Sequence, residues 1–314
     1  MTRILTVTLN PTLDVSTHTT EIVAGMKLRC APPRLDPGGG GINVSRAIRK
    51  LGGDSTALVA LGGATGRRLA ELLEQDGVAL ATFSAPGESR ENLAVTEETT
   101  GRQFRFVLPG QDWDARTTAR ALELIRHHAP HDGQVVISGS LPPGVAPDFL
   151  RQAVAEVAPI AAVLIDTSGA PLADLAGAPV PGLTTLRMDS DEAEDLAGGP
   201  LPERSHTADF AAGLVARGVA ESVIVARGAD GSVLATRHGR WHSAPPRVAV
   251  VSPVGAGDSF VAAHVLAIER GKAPQVALAF GTAAAAAAVM TDATELCRRE
   301  DAERLVASCV TTAI

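Results

Sequence analysis

The stretch Ser252-Pro253-Val254-Gly255-Ala256-Gly257-Asp258-Ser259-Phe260 sets one carboxylate among small residues, immediately ahead of an apolar run to Ile268. A helix opening there would offer free backbone N–H groups to an anion, and the small residues Gly255, Ala256 and Gly257 would let it approach closely. Asp258 would sit in the first turn beside that anion. A carboxylate next to a phosphate site is placed to take the proton from a hydroxyl that attacks phosphorus. The same aspartate also fits a plain helix N-cap, where it would contribute ~1 kcal/mol.

A second helix opening follows Pro37-Gly38-Gly39-Gly40-Gly41-Ile42-Asn43-Val44. Four glycines exceed the needs of a tight turn. They permit close backbone approach to a ligand at Gly39, and Asn43 can donate to or accept from a hydroxyl. The alternative is a flexible loop with an ordinary helix entry. Loops at one end of a sheet form the usual binding crevice, which favours ligand contact. Arg90 and Arg105 flank a hairpin pattern and carry the fork that binds phosphate bidentately, although each taken alone reads as a solvated surface side chain. Lys27 and Arg29 are similarly ambiguous. Asp14 ends the run Asn10-Pro11-Thr12-Leu13 and fits either a sugar-hydroxyl acceptor or a turn cap. His127, His128 and His131 lack a zinc pattern, and Pro130 disrupts helical spacing, so they read as an exposed helix end. No Walker A loop is present, since Gly271-Lys272 is followed by Ala273. A dinucleotide glycine motif is missing too, since Leu61 precedes Gly63 and Gly66 where its first glycine would stand.

The elements that must position these residues alternate between strand and helix. Strands are expected at Arg3–Thr8, Ser55–Leu61, Gln134–Ser138, Ala162–Asp166 and Ser222–Ala226, and helices at Ile42–Leu51 and Gly66–Gln75, with helices dominating after Gly257. The alternation predicts an α/β fold with a doubly wound, largely parallel sheet. Two stretches break it: Asp14–Asp36 is extended without helical period, and Asn92–Val107 reads as a hairpin turning at Thr99-Thr100-Gly101. In that hairpin Phe104 and Phe106 share one face, with Gln103 and Arg105 on the other. Both interruptions are expected to form a small sheet over the ligand face.

The chain has 314 residues, 45% apolar and 20% charged, which suits one large folded domain. Aromatics are 3% and tyrosine is absent, against base or sugar stacking as the main binding device. A formal net charge of −7 argues against general nucleic-acid or anionic-membrane binding, while leaving room for a local basic pocket. Cys30, Cys297 and Cys309 read as reduced thiols of a cytoplasmic protein. Residues Met1–Asn10 lack a signal-peptide core, and the alanine-rich stretch Val276–Met290 reads as a buried helix.

In order, Leu9–Asp14, Pro37–Val44, Gly62–Gly66, Gly139-Ser140-Leu141-Pro142-Pro143-Gly144 and Val254–Phe260 resemble the phosphofructokinase B family of ribokinase-like sugar kinases, over nearly the whole chain. Gly25–Cys30, the unbroken Gly38–Gly41, Arg90-Glu91-Asn92-Leu93 and Gln103–Gly110 are similar to its minor-type 6-phosphofructokinases. Relatives acting on fructose 1-phosphate or tagatose 6-phosphate usually show lysine at the place of Gly40. The resemblance implies a single domain, 1–314, with a β lid from insertions 14–36 and 88–109 that often also forms a dimer contact. It implies Asp258 as base, an anion hole of Gly255, Ala256 and Gly257, and phosphosugar contacts at Asp14, Lys27, Gly39, Asn43, Arg90, Arg105 and Ser140. It further implies nucleotide contacts at Arg187, Asp189, Ala226, Gly228 and Gly231, and magnesium held by Glu192 through water.

Some positions depart from the family pattern. Arg187-Met188-Asp189-Ser190-Asp191-Glu192 stands where Lys-Pro-Asn-x-x-Glu is common, keeping only Glu192. Ser252-Pro253 replaces Asp-Thr or Ser-Thr, Arg227 replaces an apolar residue, and Asp292-Ala293-Thr294 replaces a glycine-containing turn. These changes bear on nucleotide affinity, magnesium placement and any monovalent-cation site. The expectation is an ATP- and magnesium-dependent kinase acting on the C1 hydroxyl of fructose 6-phosphate, cytoplasmic and dimeric through the lid. The rivals are a 1-phosphofructokinase or tagatose-6-phosphate kinase and, of another class, a weakly catalytic sugar-phosphate-binding regulator.

Overall fold

The computed structural model describes residues 2–292 and 294–314, so Ala293 of the altered turn lies outside the described residues. The chain opens with β1 (Ile4–Thr8), β2 (Thr12–Thr19), β3 (Arg34–Gly38) and α1 (Gly40–Lys50), followed by β4 (Thr56–Leu61), α2 (Gly63–Gln75) and β5 (Ala79–Ser84). Then come β6 (Arg90–Glu97), β7 (Gln103–Val107), α3 (Ala115–His128), β8 (Gln134–Ser138), α4 (Phe149–Val157), β9 (Ala162–Asp166) and α5 (Gly169–Gly177). The later part holds β10 (Leu183–Asp189), α6 (Ser190–Ala197), α7 (Arg204–Ala216) and β11 (Ser222–Ala226), then a 3-10 turn at Gly228–Asp230. It ends with β12 (Ser232–Thr236), β13 (Gly239–Ala244), α8 (Ala256–Glu269), α9 (Pro274–Ala288), α10 (Arg299–Val306) and β14 (Val310–Ala313).

The main sheet runs β14-β13-β12-β11-β10-β9-β8-β1-β4-β5. The strands from β11 through β5 are parallel, and β12, β13 and β14 complete one edge antiparallel. From β1 the chain winds outward to β5, then returns to start again at β8 on the other side of β1. The order therefore reverses between β1 and β8, where the loops leaving the two carboxyl ends diverge and open a crevice. Strands such as VVIS in β8, VLI in β9 and VIV in β11 are buried and lack polar alternation because helices cover both faces. One core includes side chains of α3, α4, α5 and α7, and the other those of α1, α8, α9 and α10.

The alanine run is the tightly packed part of α9, the buried helix expected there. Gly281 is required inside it, since an added Cβ would come within 2.8 Å of the Phe260 ring on α8. No described helix is long and apolar enough to cross a membrane.

The two interrupting stretches make a separate four-stranded sheet, ordered β3-β2-β6-β7. It reaches beyond the expected insertion bounds: β2 starts at Thr12 and β3 runs to Gly38, which joins the small sheet directly to the glycine run. The hairpin pairs Leu93 with Phe106 and Val95 with Phe104, in the expected facing. Strands β5, β10, β12, β13 and β14 are not among those expected: Thr184, Thr185 and Arg187 interrupt the apolar run of β10; β12 and β13 belong to the antiparallel edge; and β5 and β14 lie at the ends of the sheet. These last two have mixed burial, so they lack the continuous apolar signal of the interior strands.

Candidate active site

The carboxyl ends of β8, β9 and β10 bring three side chains into a row. Register pairs Ser138 with Asp166 and Asp166 with Arg187. Arg187 Nη1 donates to Asp166 Oδ1 at 3.1 Å, and Ser138 Oγ donates to Asp166 Oδ2 at 3.4 Å. The Arg187 side chain is 12% exposed, and its Nε is buried without a hydrogen-bond partner among the described residues. Burial alone would lower the Arg187 pKa, but Asp166 first, then Glu192 and Asp258, hold it above the ordinary arginine value.

Helix α8 opens directly over this row. Gly255, in a left-handed conformation at φ 79°, is its N-cap, and it makes no side-chain cap hydrogen bond among the described residues. The capping alternative for Asp258 therefore does not describe the structure. Its Oδ2 instead accepts from Asn43 Nδ2 of α1 at 2.9 Å. Asp258 keeps a partly open surface, yet protein packs around it densely. Loss of water first, and the Asp166 charge second, push its carboxyl up to about 7 against the opposing effects of Asn43 and Arg187. That is the range in which a carboxylate serves as a base near neutral pH. A Cβ on Gly257 would lie 3.1 Å from Arg187 Nη2, so the glycine backbone and the guanidinium border the same space.

The glycine run is packed closely against the protein itself. A Cβ on Gly40 would lie 2.2 Å from Ser138 Oγ, and one on Gly38 would lie 2.2 Å from Asp14 Oδ2. Gly39 has φ 122°, a conformation that disfavours other residues. These contacts account for the unbroken glycines and exclude a loose loop. They also join this row to a second polar cluster on the small sheet.

In that cluster Asn92 Nδ2 donates to Asp14 Oδ1 at 3.1 Å, and Arg90 donates through Nε and Nη2 to the Asn10 carbonyl at 3.4 and 3.3 Å. Burial raises the Asp14 carboxyl, opposed by the Asn92 hydrogen bond and the Arg90 charge. Burial also lowers the Arg90 pKa, with Asp14 opposing it. Asn10 Nδ2 donates to Ser140 Oγ at 3.0 Å, tying the loop after β8 to the loop after β1. Arg90, Asn10, Ser140 and Leu108 line a cleft of about 540 Å³. Register places Asp14, Asn92 and Ala94, and with Ala94 its partner Arg105, on one face of the small sheet. Arg105 is exposed on β7, and Lys27 is exposed on the loop between β2 and β3. Neither makes a side-chain hydrogen bond or ion pair among the described residues.

On the far side of Arg187, register pairs Asp189 with Ala226. Asp189 caps α6: its Oδ1 accepts from the Glu192 N–H at 2.9 Å, and Glu192 Oε2 accepts from the Asp189 N–H at 2.8 Å. Burial first, and the neighbouring Asp189 and Asp166 charges after it, raise the Glu192 carboxyl. Gly228 and Gly231 bracket the 3-10 turn, where a Cβ on Gly231 would collide with the Ser243 carbonyl oxygen at 2.0 Å. No group of three or more metal-ligating side chains occurs among the described residues. A larger cavity of about 770 Å³ lies by the amino ends of β10 and β11. It holds none of these groups, so chemistry rather than volume locates the site.

Sequence reasoning passed over two members of this arrangement. Asp166 was visible only as the last residue of a strand, although a carboxylate at the carboxyl end of a buried parallel strand is itself a signal. Asn92 stands in the sequence inside a hairpin pattern and the Arg90–Leu93 resemblance, with no role attached to it.

The family model for pfkB family carbohydrate kinases matches residues 8–301. This chain belongs to that family. It is 39% identical over 304 residues to the ATP-dependent 6-phosphofructokinase isozyme 2 of Mycobacterium tuberculosis strain H37Rv, covering 96% of this chain and 88% of that protein. It is 36% identical over 313 residues to the Escherichia coli K12 protein of the same name, covering 98% and 99%. The 1-phosphofructokinase of Escherichia coli K12 is 31% identical over 293 residues, 91% of each chain. Among solved structures, phosphofructokinase-2 from Escherichia coli in complex with potassium superposes with a TM-score of 0.92 at 36% identity, covering 98% of this chain and 99% of that one. The same enzyme in complex with fructose-6-phosphate gives 0.89 at 35% identity with the same coverage. This pfkB-family protein is thus a sugar kinase, and its ribokinase-like α/β fold is the one expected.

Proposed function

We propose that this kinase transfers a phosphoryl group from ATP to the C1 hydroxyl of fructose 6-phosphate, giving fructose 1,6-bisphosphate. The observation that carries the reading is the pairing of a base-like Asp258, beside the start of α8 that no described side chain caps, with a nearby sheet face bearing Asp14, Asn92 and the arginines. The relatives named 6-phosphofructokinase support the choice of sugar. Asp258 takes the proton from the attacking hydroxyl. The N–H groups of Gly255, Ala256 and Gly257 face the charge that develops on the transferring group, with Arg187 beside them. Arg90 and Arg105 bind the distant phosphate, joined by Lys27, while Asp14, Gly39, Asn43, Asn92 and Ser140 hold the sugar. Such orientation can itself supply much of the rate.

Donor binding falls to Arg187, Asp189, Ala226, Gly228 and Gly231. Glu192, with Asp166 across the row, offers carboxylate oxygens but no closed cage, which suits magnesium carried mainly by phosphates and water. When bound, that ion would neutralise phosphate charge, with Glu192 holding it through water. The potassium complex of the Escherichia coli enzyme motivates assays with and without that ion. We read the four-stranded sheet as a lid on a single domain, and its exposed apolar residues as a homodimer contact.

The deciding experiment measures ADP release with magnesium and ATP across fructose 6-phosphate, fructose 1-phosphate, tagatose 6-phosphate and fructose. The expected order places fructose 6-phosphate first by kcat/KM. Equal values for fructose and fructose 6-phosphate would remove the phosphate-binding role of the arginines. A preference for fructose 1-phosphate or tagatose 6-phosphate would move the enzyme to the corresponding activity.

A further inference from the structure

Arg227 follows β11 at a position that the site chemistry does not use. Its guanidinium is 12% exposed and engaged along both edges. Nη1 donates to the Leu201 carbonyl at 2.9 Å and also to Thr207 Oγ1, Nη2 donates to the Pro202 carbonyl at 2.9 Å, and Nε donates to Asp230 Oδ2 at 3.0 Å. Leu201 and Pro202 lie between α6 and α7, Thr207 lies on α7, and Asp230 lies in the 3-10 turn. A second arginine closes the ring: Arg204, first residue of α7, donates through Nε to both Asp230 oxygens at 3.0 and 3.1 Å. The Arg227 N–H donates to the Gly231 carbonyl at 2.7 Å, and His242 Nε2 lies 2.6 Å from the Asp230 carbonyl oxygen. Hydrogen bonds from Arg204 hold the Asp230 carboxyl down at about 2, so this junction stays ionised at any working pH.

The junction has a definite place in the fold. Sugar-facing groups lie toward β1 and the small sheet, so a phosphoryl donor must approach Arg187 and Gly257 from the opposite direction, across the carboxyl ends of β10 and β11. The turn at Gly228–Asp230 begins at that edge, and the α6–α7 connection meets it where Arg227 reaches Leu201 and Pro202. Loops of this kind ordinarily move independently.

We propose that Arg227 is a positioning residue for the nucleotide: it fastens the turn after β11 to the α6–α7 connection, so that both sides of the donor site are fixed before ATP arrives. The inference rests on ATP being the donor. Preorganised walls avoid the entropic cost of ordering loops on binding, so the effect falls on nucleotide affinity rather than on chemistry. Arg227→Met keeps an apolar stem and removes every charge-assisted hydrogen bond. Arg227→Lys keeps the charge with one donor centre, which cannot span Leu201, Pro202 and Asp230 together.

The test combines steady-state kinetics with calorimetric titration of magnesium and ADP in the absence of sugar. Loss of about one strong polar contact's worth of preorganisation corresponds to roughly a tenfold rise in KM for ATP and in Kd for ADP in Arg227→Met. The expected kcat and sugar-phosphate KM stay within about twofold of wild type, with Arg227→Lys intermediate and Arg204→Ala, which cuts only the exposed arm, close to wild type. If Arg227→Met fails to fold, Arg227→Lys and a Thr207→Val variant carry the same comparison. A lowered melting temperature with unchanged ADP affinity would make Arg227 a stabilising residue only and overturn the proposal. A wild type that binds no ADP would overturn the donor reading and this inference with it.

Discussion

Asp258 is a carboxylate whose stability and reactivity pull in opposite directions. Protein packing withholds water from it, Asp166 adds a like charge, and only Asn43 and Arg187 favour its ionised form. Its folded pKa, raised to about 7 from the ordinary 3.8, means the native state holds this proton more tightly than the unfolded chain. Stability from this group is therefore fully present below about pH 4 and is lost as pH rises toward and through 7. Asp258→Asn should accordingly melt at a higher temperature than wild type at pH 8 and nearly match it at pH 4. The same change should lower turnover by about 10²–10⁴, as for other positioned acid–base groups. Thermal scans at the two pH values and ADP-release kinetics check both parts. Turnover within a few-fold of wild type would leave Asp258 without a role as base. Asn43→Ala removes the hydrogen bond that favours the carboxylate, so the acid limb of kcat/KM should move to higher pH. An unmoved limb would detach that limb from Asp258.

At the scale of elements, α6 shows how a site segment serves two ends. The reciprocal bonds between Asp189 and Glu192 start the helix and leave one Glu192 oxygen, Oε1, outside the box. Asp189→Ala should cost ~1 kcal/mol in denaturant unfolding, whereas Asp189→Asn retains a capping acceptor and should cost much less. The asparagine also removes a negative charge that raises the Glu192 carboxyl. Glu192 should then ionise more readily, and ATP should bind at least as well at low magnesium, with a flatter dependence of its KM on magnesium. Identical magnesium curves for wild type and Asp189→Asn would place Asp189 outside the metal–phosphate region and leave it a helix cap alone.

Across the whole molecule, the small sheet has two unlike faces. One carries Asp14, Asn92 and Arg105, while the other carries Leu93, Phe104 and Phe106, exposed by 39%, 39% and 53%. Exposed apolar side chains beside a free sheet edge are what the proposed homodimer contact would cover. A structure of Escherichia coli phosphofructokinase-2 is described as a tetrameric inhibited form, superposing with a TM-score of 0.90 at 35% identity. Sedimentation should find wild type as a dimer and Phe106→Asp shifted toward monomer. A mass unchanged by Phe106→Asp would place the contact elsewhere, and a monomeric wild type would exclude the dimer.

Local physics made much of this protein legible in its residues. Continuous apolar runs mark β8, β9 and β11 because both faces of a central parallel strand are buried. Small residues ahead of apolar runs mark the openings of α1 and α8 because backbone must approach closely there. The facing of Phe104 and Phe106 follows from the two-residue repeat of a strand. Partnership was not legible, because it depends on which strands become neighbours. Asp166 and Arg187 stand 21 residues apart in sequence and 3.1 Å apart in space, joined only by the order in which β9 and β10 enter the sheet. Asn43 and Asp258 are 215 residues apart and meet because α1 and α8 cover the same face of that sheet. Sequence alone left Asp258 between helix cap and base. Folding decided its environment by placing Gly255 at the cap, Asn43 on its oxygen and Asp166 within reach of its charge, since burial and neighbouring charge belong to the packed molecule and not to the residue.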